Sequence, residues 1–312
     1  MEKENRIKVY IITGFLGAGK TTVLNSLLQQ LSASKNIVIE NEFGKVNIDA
    51  TLIAGKIDNL YELTSGCICC SLDNELLEVL GDVLRMEDTP DHVFIETTGI
   101  ADTGNIIGML QLPEVTAHYE LVRTVCVVDA ENIQDRLVQQ PEPGKQIACA
   151  DVLVINKIMA LTVPELVSVY EMLEAINPLA FVTATESGEL KLRDLHAPVT
   201  RSPIPYTPAP VEHLHKINTV LFTTPDAFNL NMLVYVLDFH CNVYPDQLYR
   251  IKGYVSIQDS DEKFLVQSTG KYLHITAVGS WGEETPASTL VFIGKDLKSA
   301  TIQRILQPAT KR

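Results

Sequence analysis

The chain has 312 residues, 46% of them hydrophobic and 6% aromatic, with 25 Lys and Arg against 39 Asp and Glu for a formal charge of −14. At roughly 150 residues per domain this is about two domains, with cores large enough to need no disulfide staples and a composition that excludes a disordered tail or a coiled coil. So acidic a chain, without a visible basic patch, excludes nucleic acid and anionic membranes as partners, and no apolar run approaches the roughly 18 residues of a membrane span.

The charged start, Met1 to Arg6, leads into a strand at Ile7–Thr13 without the apolar stretch of a signal peptide. Three of the six cysteines crowd into four positions, which suits ligand or redox chemistry in a reducing, cytoplasmic compartment. A helix is expected from Lys20 to Leu31. Further short, β-branched runs read as strands at Asn36–Glu40, His92–Thr97, Val122–Asp129, Asp151–Asn156 and Ala180–Ala184. Leu72, Leu76, Leu80 and Val83 share one helical face, and Thr162-x-x-Glu165 forms a capping box ahead of Leu166, Val169, Leu173 and Ile176. Alternation of this kind predicts an α/β domain over residues 1–197, with a mainly parallel sheet covered on both faces. Ligands gather at the carboxyl ends of such strands, where Glu40, Glu96, Asp129 and Asn156 stand. Five prolines from Pro198 to Pro210 mark an extended connector, taken as 198–212. Beyond it, strands at Lys216–Thr223, Leu248–Ile257, Lys263–Ser268, Tyr272–Val278 and Leu290–Gly294, with helices at Asn229–His240 and Leu297–Leu306, predict a small α+β domain over 213–312 with an antiparallel sheet.

Gly14-Phe15-Leu16-Gly17-Ala18-Gly19-Lys20-Thr21 fits the phosphate-loop pattern at every defined position, between a strand and a helix. Gly14, Gly17, Ala18 and Gly19, followed by Lys20, Thr21 and Thr22, form the expected nucleotide-binding set: backbone N–H groups face the phosphates, Lys20 reaches the β- and γ-phosphates, and Thr21 takes one Mg2+ position. Glu96, ending a strand, is the Walker-B-like carboxylate. Gly99 is placed to meet the γ-phosphate through its N–H, and Asp49 is a second candidate for Mg2+ or water. A strand-end carboxylate capping the next helix, and a solvated loop acid, are the plain alternatives for Glu96 and Asp49. Asn156-Lys157 ends a strand as a guanine-reading N-K-x-D motif does, but Met159 fills the Asp position. Without that carboxylate, discrimination against adenine weakens.

Gly66-Cys67-Ile68-Cys69-Cys70 is the other constellation. Three thiolates so close can converge on one borderline ion such as Zn2+, with Glu40 as an oxygen ligand and one position weakly held, as suits an ion that must leave again. Buried structural cysteines and a redox switch are the alternatives. Cys126, Cys149 and Cys241 read as core. His213-x-His215 has ligand-like spacing but reads as ordinary surface more readily than as an auxiliary metal site.

Taken in order, Gly14 to Thr22, Glu40-Asn41-Glu42-Phe43-Gly44, Gly66 to Cys70, Glu96-Thr97-Thr98-Gly99 and Asn156-Lys157 resemble the CobW-like metal-chaperone GTPases, relatives of the nickel-insertion GTPases of urease and hydrogenase. The resemblance continues through Arg250-Ile251-Lys252-Gly253, Val266-Gln267, Trp281-Gly282 and Val291-Phe292-Ile293-Gly294, and so spans nearly the whole chain. It implies a P-loop GTPase that binds GTP and Mg2+, dimerises with nucleotide, holds Zn2+ or a similar ion through Glu40, Cys67, Cys69 and Cys70, and delivers it to a client metalloprotein on hydrolysis. Met159 departs from the family pattern, as does Lys45 after Phe43-Gly44, where relatives often carry an acid. The rival readings are a metal sensor or store, a redox-switch protein, a cobalamin-biosynthesis insertion factor, and a P-loop kinase, for which no basic lid is visible.

Overall fold

The computed structural model describes residues 6–42, 59–64, 72–198 and 216–310. Asp49, Lys45, Cys67, Cys69, Cys70, His213, His215 and the connector from residue 199 onward lie outside the described residues.

Two compact units emerge: Met1–Glu174 with Leu179–Thr200, and Ala175–Pro178 with Arg201–Arg312. The first runs β1 (Ile7–Thr13), α1 (Lys20–Gln30), β2 (Asn36–Glu42), β3 (Asn59–Thr64), α2 (Leu72–Leu84), β4 (His92–Glu96), α3 (Thr103–Leu110), α4 (Pro113–Thr116), β5 (Tyr119–Asp129), α5 (Ile133–Gln139), α6 (Glu142–Cys149), β6 (Val152–Asn156), α7 (Val163–Ile176), β7 (Phe181–Ala184) and α8 (Leu192–Leu195). Its strands form a seven-stranded parallel sheet in the order β3-β2-β4-β1-β5-β6-β7.

Both faces are covered, so the central strands are apolar at successive positions and not merely at alternate ones. Val9, Ile11, Ile39, Val93 and Ile95 pack with Leu76 and Leu80 of α2 and Ile107 of α3. Tyr10, Ile12, Val38, Phe94, Val127 and Val154 pack on the other face with Val23, Leu24 and Leu27 of α1. The period of two then decides where the polar strand ends project. Counting on from Val38, Phe94, Val127 and Val154 puts Glu40, Glu96, Asp129 and Asn156 on the face that carries α1. The glutamate half of the capping box forms ahead of α7, with Thr162 N–H donating to Glu165 Oε2 at 2.7 Å, while Thr162 Oγ1 also donates to that oxygen at 2.7 Å.

The second unit contains β8 (Ile217–Thr224), α9 (Leu230–Val243), β9 (Leu248–Ser256), β10 (Glu262–Thr269), β11 (Tyr272–Ser280), β12 (Ser288–Lys295) and α10 (Ser299–Thr310). Its five strands pair antiparallel in the order β11-β10-β9-β12-β8, and Leu237 and Cys241 of α9 meet Ile302 and Leu306 of α10 over Ile251, Val255 and Phe292. Among the described residues, no helix is long and apolar enough to cross a membrane.

Candidate nucleotide-binding site

The phosphate loop is shaped by a contact that only glycine permits. Gly19 has φ 99°, and a Cβ there would lie 2.4 Å from Asn156 Nδ2. That amide donates to Ala18 O at 2.9 Å, fastening the loop to the end of β6. Lys20 follows at the first position of α1, and its Nζ reaches back to Phe15 O at 3.5 Å, a long bond that spans the loop. Ala18 is buried and Thr22 exposed, where Thr22 meets Gly188 of the loop after β7.

Thr21 Oγ1 donates to Glu96 Oε1 at 2.8 Å, so the expected Mg2+ hydroxyl and the expected Walker-B-like carboxylate are in direct contact. One strand further out, Glu40 pairs in register with Glu96 and is 3% exposed. Residues paired in register leave a parallel sheet on the same face, so both carboxylates project beside α1. Among the described residues, no group of three His, Cys, Asp or Glu side chains gathers to hold a metal.

On the other side of β1, Asp129 pairs in register with Asn156. Lys157, in the left-handed region at φ 62°, brings its Nζ to Asp129 Oδ2 at 2.8 Å. A non-glycine residue held there is a strained feature of the kind that collects at functional sites. Burial alone would raise the Asp129 pKa, but hydrogen bonds from Lys157 and Asn132 and the Lys157 charge outweigh it and hold the carboxyl below its ordinary value. Met159 sits on the short 3-10 turn Ile158–Ala160, 74% exposed.

The turn after β4 closes the site. Gly99 packs so tightly on the phosphate loop that a Cβ would lie 2.4 Å from Leu16 N. Behind it, Thr97 Oγ1 donates to Thr13 Oγ1 at 3.0 Å, and Thr13 Oγ1 lies 2.8 Å from Thr103 Oγ1, a buried chain of hydroxyls joining β1, the turn and α3. Sequence reasoning passed over three neighbours: these threonines, Arg136, whose guanidinium lies 5.1 Å from the Phe15 ring centroid, and Gln146 on α6. For Gln146 a signal existed, a long polar side chain among Ile147, Ala148 and Cys149. These three, like Cys126 and Cys241, are buried as core. Cavity size is no guide to the site. A cavity of about 700 Å³ between α9 and α10 is lined by Tyr235, Phe239, Tyr244 and Ile305, with no phosphate loop near it in that unit.

Comparison with known proteins agrees with this geometry. Residues 8–183 match the CobW/HypB/UreG nucleotide-binding domain, and residues 217–310 match the cobalamin synthesis protein cobW C-terminal domain. A protein named zinc chaperone YjiA, from Escherichia coli, is 32% identical over 96% of this chain and 97% of its own length. One named zinc chaperone CobW, from Pseudomonas aeruginosa, is 26% identical over 97% and 92%. The crystal structure of Zn(II)-bound YjiA GTPase from E. coli superposes with a TM-score of 0.73 at 25% identity, covering 98% of this chain and all of the other. The chain therefore belongs to the CobW/HypB/UreG family of P-loop nucleoside triphosphatases, and carries the CobW C-terminal domain.

Proposed function

We propose that the protein is a cytoplasmic zinc metallochaperone that hydrolyses GTP and couples hydrolysis to transfer of its metal cargo to a client metalloprotein. The observation that carries this reading is the register pairing of Glu40 with Glu96. Glu96 touches Thr21 at the head of the phosphate-binding helix, and Glu40 is the oxygen donor expected to join Cys67, Cys69 and Cys70. In this reading the nucleotide and cargo sites share adjacent strands, and a rearrangement at one reaches the other through one sheet spacing, roughly 4.8 Å. The names of the relatives, zinc chaperones among them, support Zn2+ as the cargo.

In the hydrolytic step the N–H groups of residues 14–19 and Lys20 hold the β- and γ-phosphates, and the Gly99 N–H meets the terminal one. A hydroxyl and a carboxylate in contact at the start of α1 suit Mg2+, which Thr21 and Glu96 would hold and which neutralises phosphate charge when bound. Asn156 and Lys157 form the base side, where Met159 leaves guanine with fewer partners than a carboxylate would. Loss of the γ-phosphate frees the segments on either side of Glu96 and loosens the cargo. Coupling of this sort amounts to about 1–3 kcal/mol, or roughly 5–150-fold in metal affinity. Dimerisation with nucleotide is part of the proposed cycle.

The test is hydrolysis by metal-stripped protein, with GTP and ATP in parallel, with and without stoichiometric Zn2+. Zinc-stimulated turnover of GTP over ATP is expected, and Cys69→Ala should abolish the stimulation. Turnover indifferent to zinc would detach the cysteines from the nucleotide and overturn the coupled cycle.

A further inference from the structure

Gln146 is 1% exposed, yet its side chain is used asymmetrically. Nε2 donates to Gly99 O at 3.1 Å and to Ala101 O at 3.4 Å, while Oε1 is buried with no hydrogen-bond partner among the described residues. Because both contacts are carbonyl oxygens, the amide nitrogen must face them, which settles the orientation of the group. A glutamine serving only to fill space would be disfavoured here, since a buried acceptor without a donor is costly. The position uses the donor end alone, and what it grips is the turn after β4.

That turn is closed on its inner side by Ala101 N–H donating to Thr98 O at 3.1 Å. Gln146 supplies the outer hold. Its two bonds clamp the carbonyls on either side of Ile100 to α6, while Gly99 itself lies against Leu16 of the phosphate loop. Two peptide planes are thereby fixed next to the amide expected to meet the γ-phosphate. We infer that Gln146 is a positioning residue: its carboxamide holds the turn against the phosphate loop so that the Gly99 N–H is preorganised for the terminal phosphate. The inference rests on the proposed GTPase reading and adds a residue on α6 that touches neither nucleotide nor metal.

Such a residue has a signature that general packing lacks. GDP has no γ-phosphate, so loosening the turn spares GDP binding and weakens only triphosphate binding and its hydrolysis. Gln146→Met, close in volume and without a donor, should bind a non-hydrolysable imido analogue of GTP about tenfold more weakly while GDP affinity stays within about twofold, and kcat should fall with it. Gln146→Asn, which keeps an amide but falls one methylene short, should shift the same ratio in the same direction, and serves if the methionine variant does not fold. Equal loss of affinity for both nucleotides, or no change in either, overturns the inference. If the wild-type chain itself fails to distinguish the two nucleotides and does not hydrolyse GTP, the proposed function falls, and this assignment with it.

Discussion

Asn156 directs its side chain to Ala18 O, so one residue at the end of β6 ties the loop that would hold the phosphates to the strand that would present the base. Replacing it with alanine leaves that buried carbonyl without its donor and opens space beside Gly19. Asn156→Ala should therefore cost about 1–3 kcal/mol of stability and weaken GDP and GTP alike, measurable by urea unfolding and by direct titration. The contrast with Gln146→Met lies in the GDP arm, spared in one variant and lost in the other. Met159 is different in kind. At 74% exposure on a surface turn it packs against little, so Met159→Asp should leave stability within about 0.5 kcal/mol. If guanine is read from this turn, the new carboxylate gives N1–H and N2–H their acceptor, and the affinity ratio of GTP to ATP should rise by about tenfold or more. A ratio that does not move would place base recognition elsewhere.

Among the elements, those with a regular period were legible and those without were not. The five strands of the second unit were read to within a few residues because they are short β-branched and aromatic runs bounded by turn residues. The central strands of the first unit announced themselves as apolar runs. β3 did not, for it is an edge strand, Asn59–Thr64, paired on one side only and interrupted by Glu62. Between Gly99 and Asp151 the strand at Val122–Asp129 was legible, within β5, but the helices on either side of it drew no expectation. They include α3, whose residues from Ile106 to Leu110 are all buried, and α6, which contains Pro143 and Gly144. A helix buried on nearly every side has no polar stripe, and proline and glycine lower its propensity. Gln146 went unread because its helix did. Of the candidate site, the phosphate loop, Glu96 and the Asn156-Lys157 pair were visible as local motifs. The register that sets Glu40 beside Glu96 is a property of strands that are neighbours in the sheet but not consecutive in sequence, which no local pattern encodes. Caps, by contrast, are local, and Asn229 shows one in use: its Oδ1 accepts from Met232 N–H at 3.1 Å at the start of α9. Asn229→Ala should destabilise the second unit by about 1 kcal/mol and leave GDP affinity unchanged.

A chain of two compact units need not unfold in one transition, and this one carries its own reporter for each. The only tryptophan in the sequence, Trp281, lies in the second unit, with its Nε1 donating to Glu262 O at 3.2 Å, whereas nucleotide binding reports on the first. Burial lowers the pKa of His92, which faces Asn36 Oδ1 at 3.0 Å, and of His196 in the first unit, and lowers that of His274 on β11 in the second. For a histidine with a depressed folded value, the unfolded chain takes up the proton first. The stability it contributes is complete above the unfolded pKa of about 6.5 and is lost as pH falls from there toward the folded value. Self-repulsion acts in the opposite sense, since acidification reduces a charge of −14 and should favour the compact state. Desolvation of a half-buried imidazole such as His274 is a local effect, while dispersed surface charge is screened within about 8 Å at physiological salt, so the histidine effect should prevail at 0.15 M salt. The denaturant midpoint of the Trp281 transition is therefore expected to fall between pH 7.5 and 5.5. His274→Gln should flatten that fall and His92→Gln should not, while the loss of GDP binding should show the reverse dependence. A midpoint that rises on acidification in the wild-type chain would mean that net charge, and not the desolvated imidazoles, governs stability over this range.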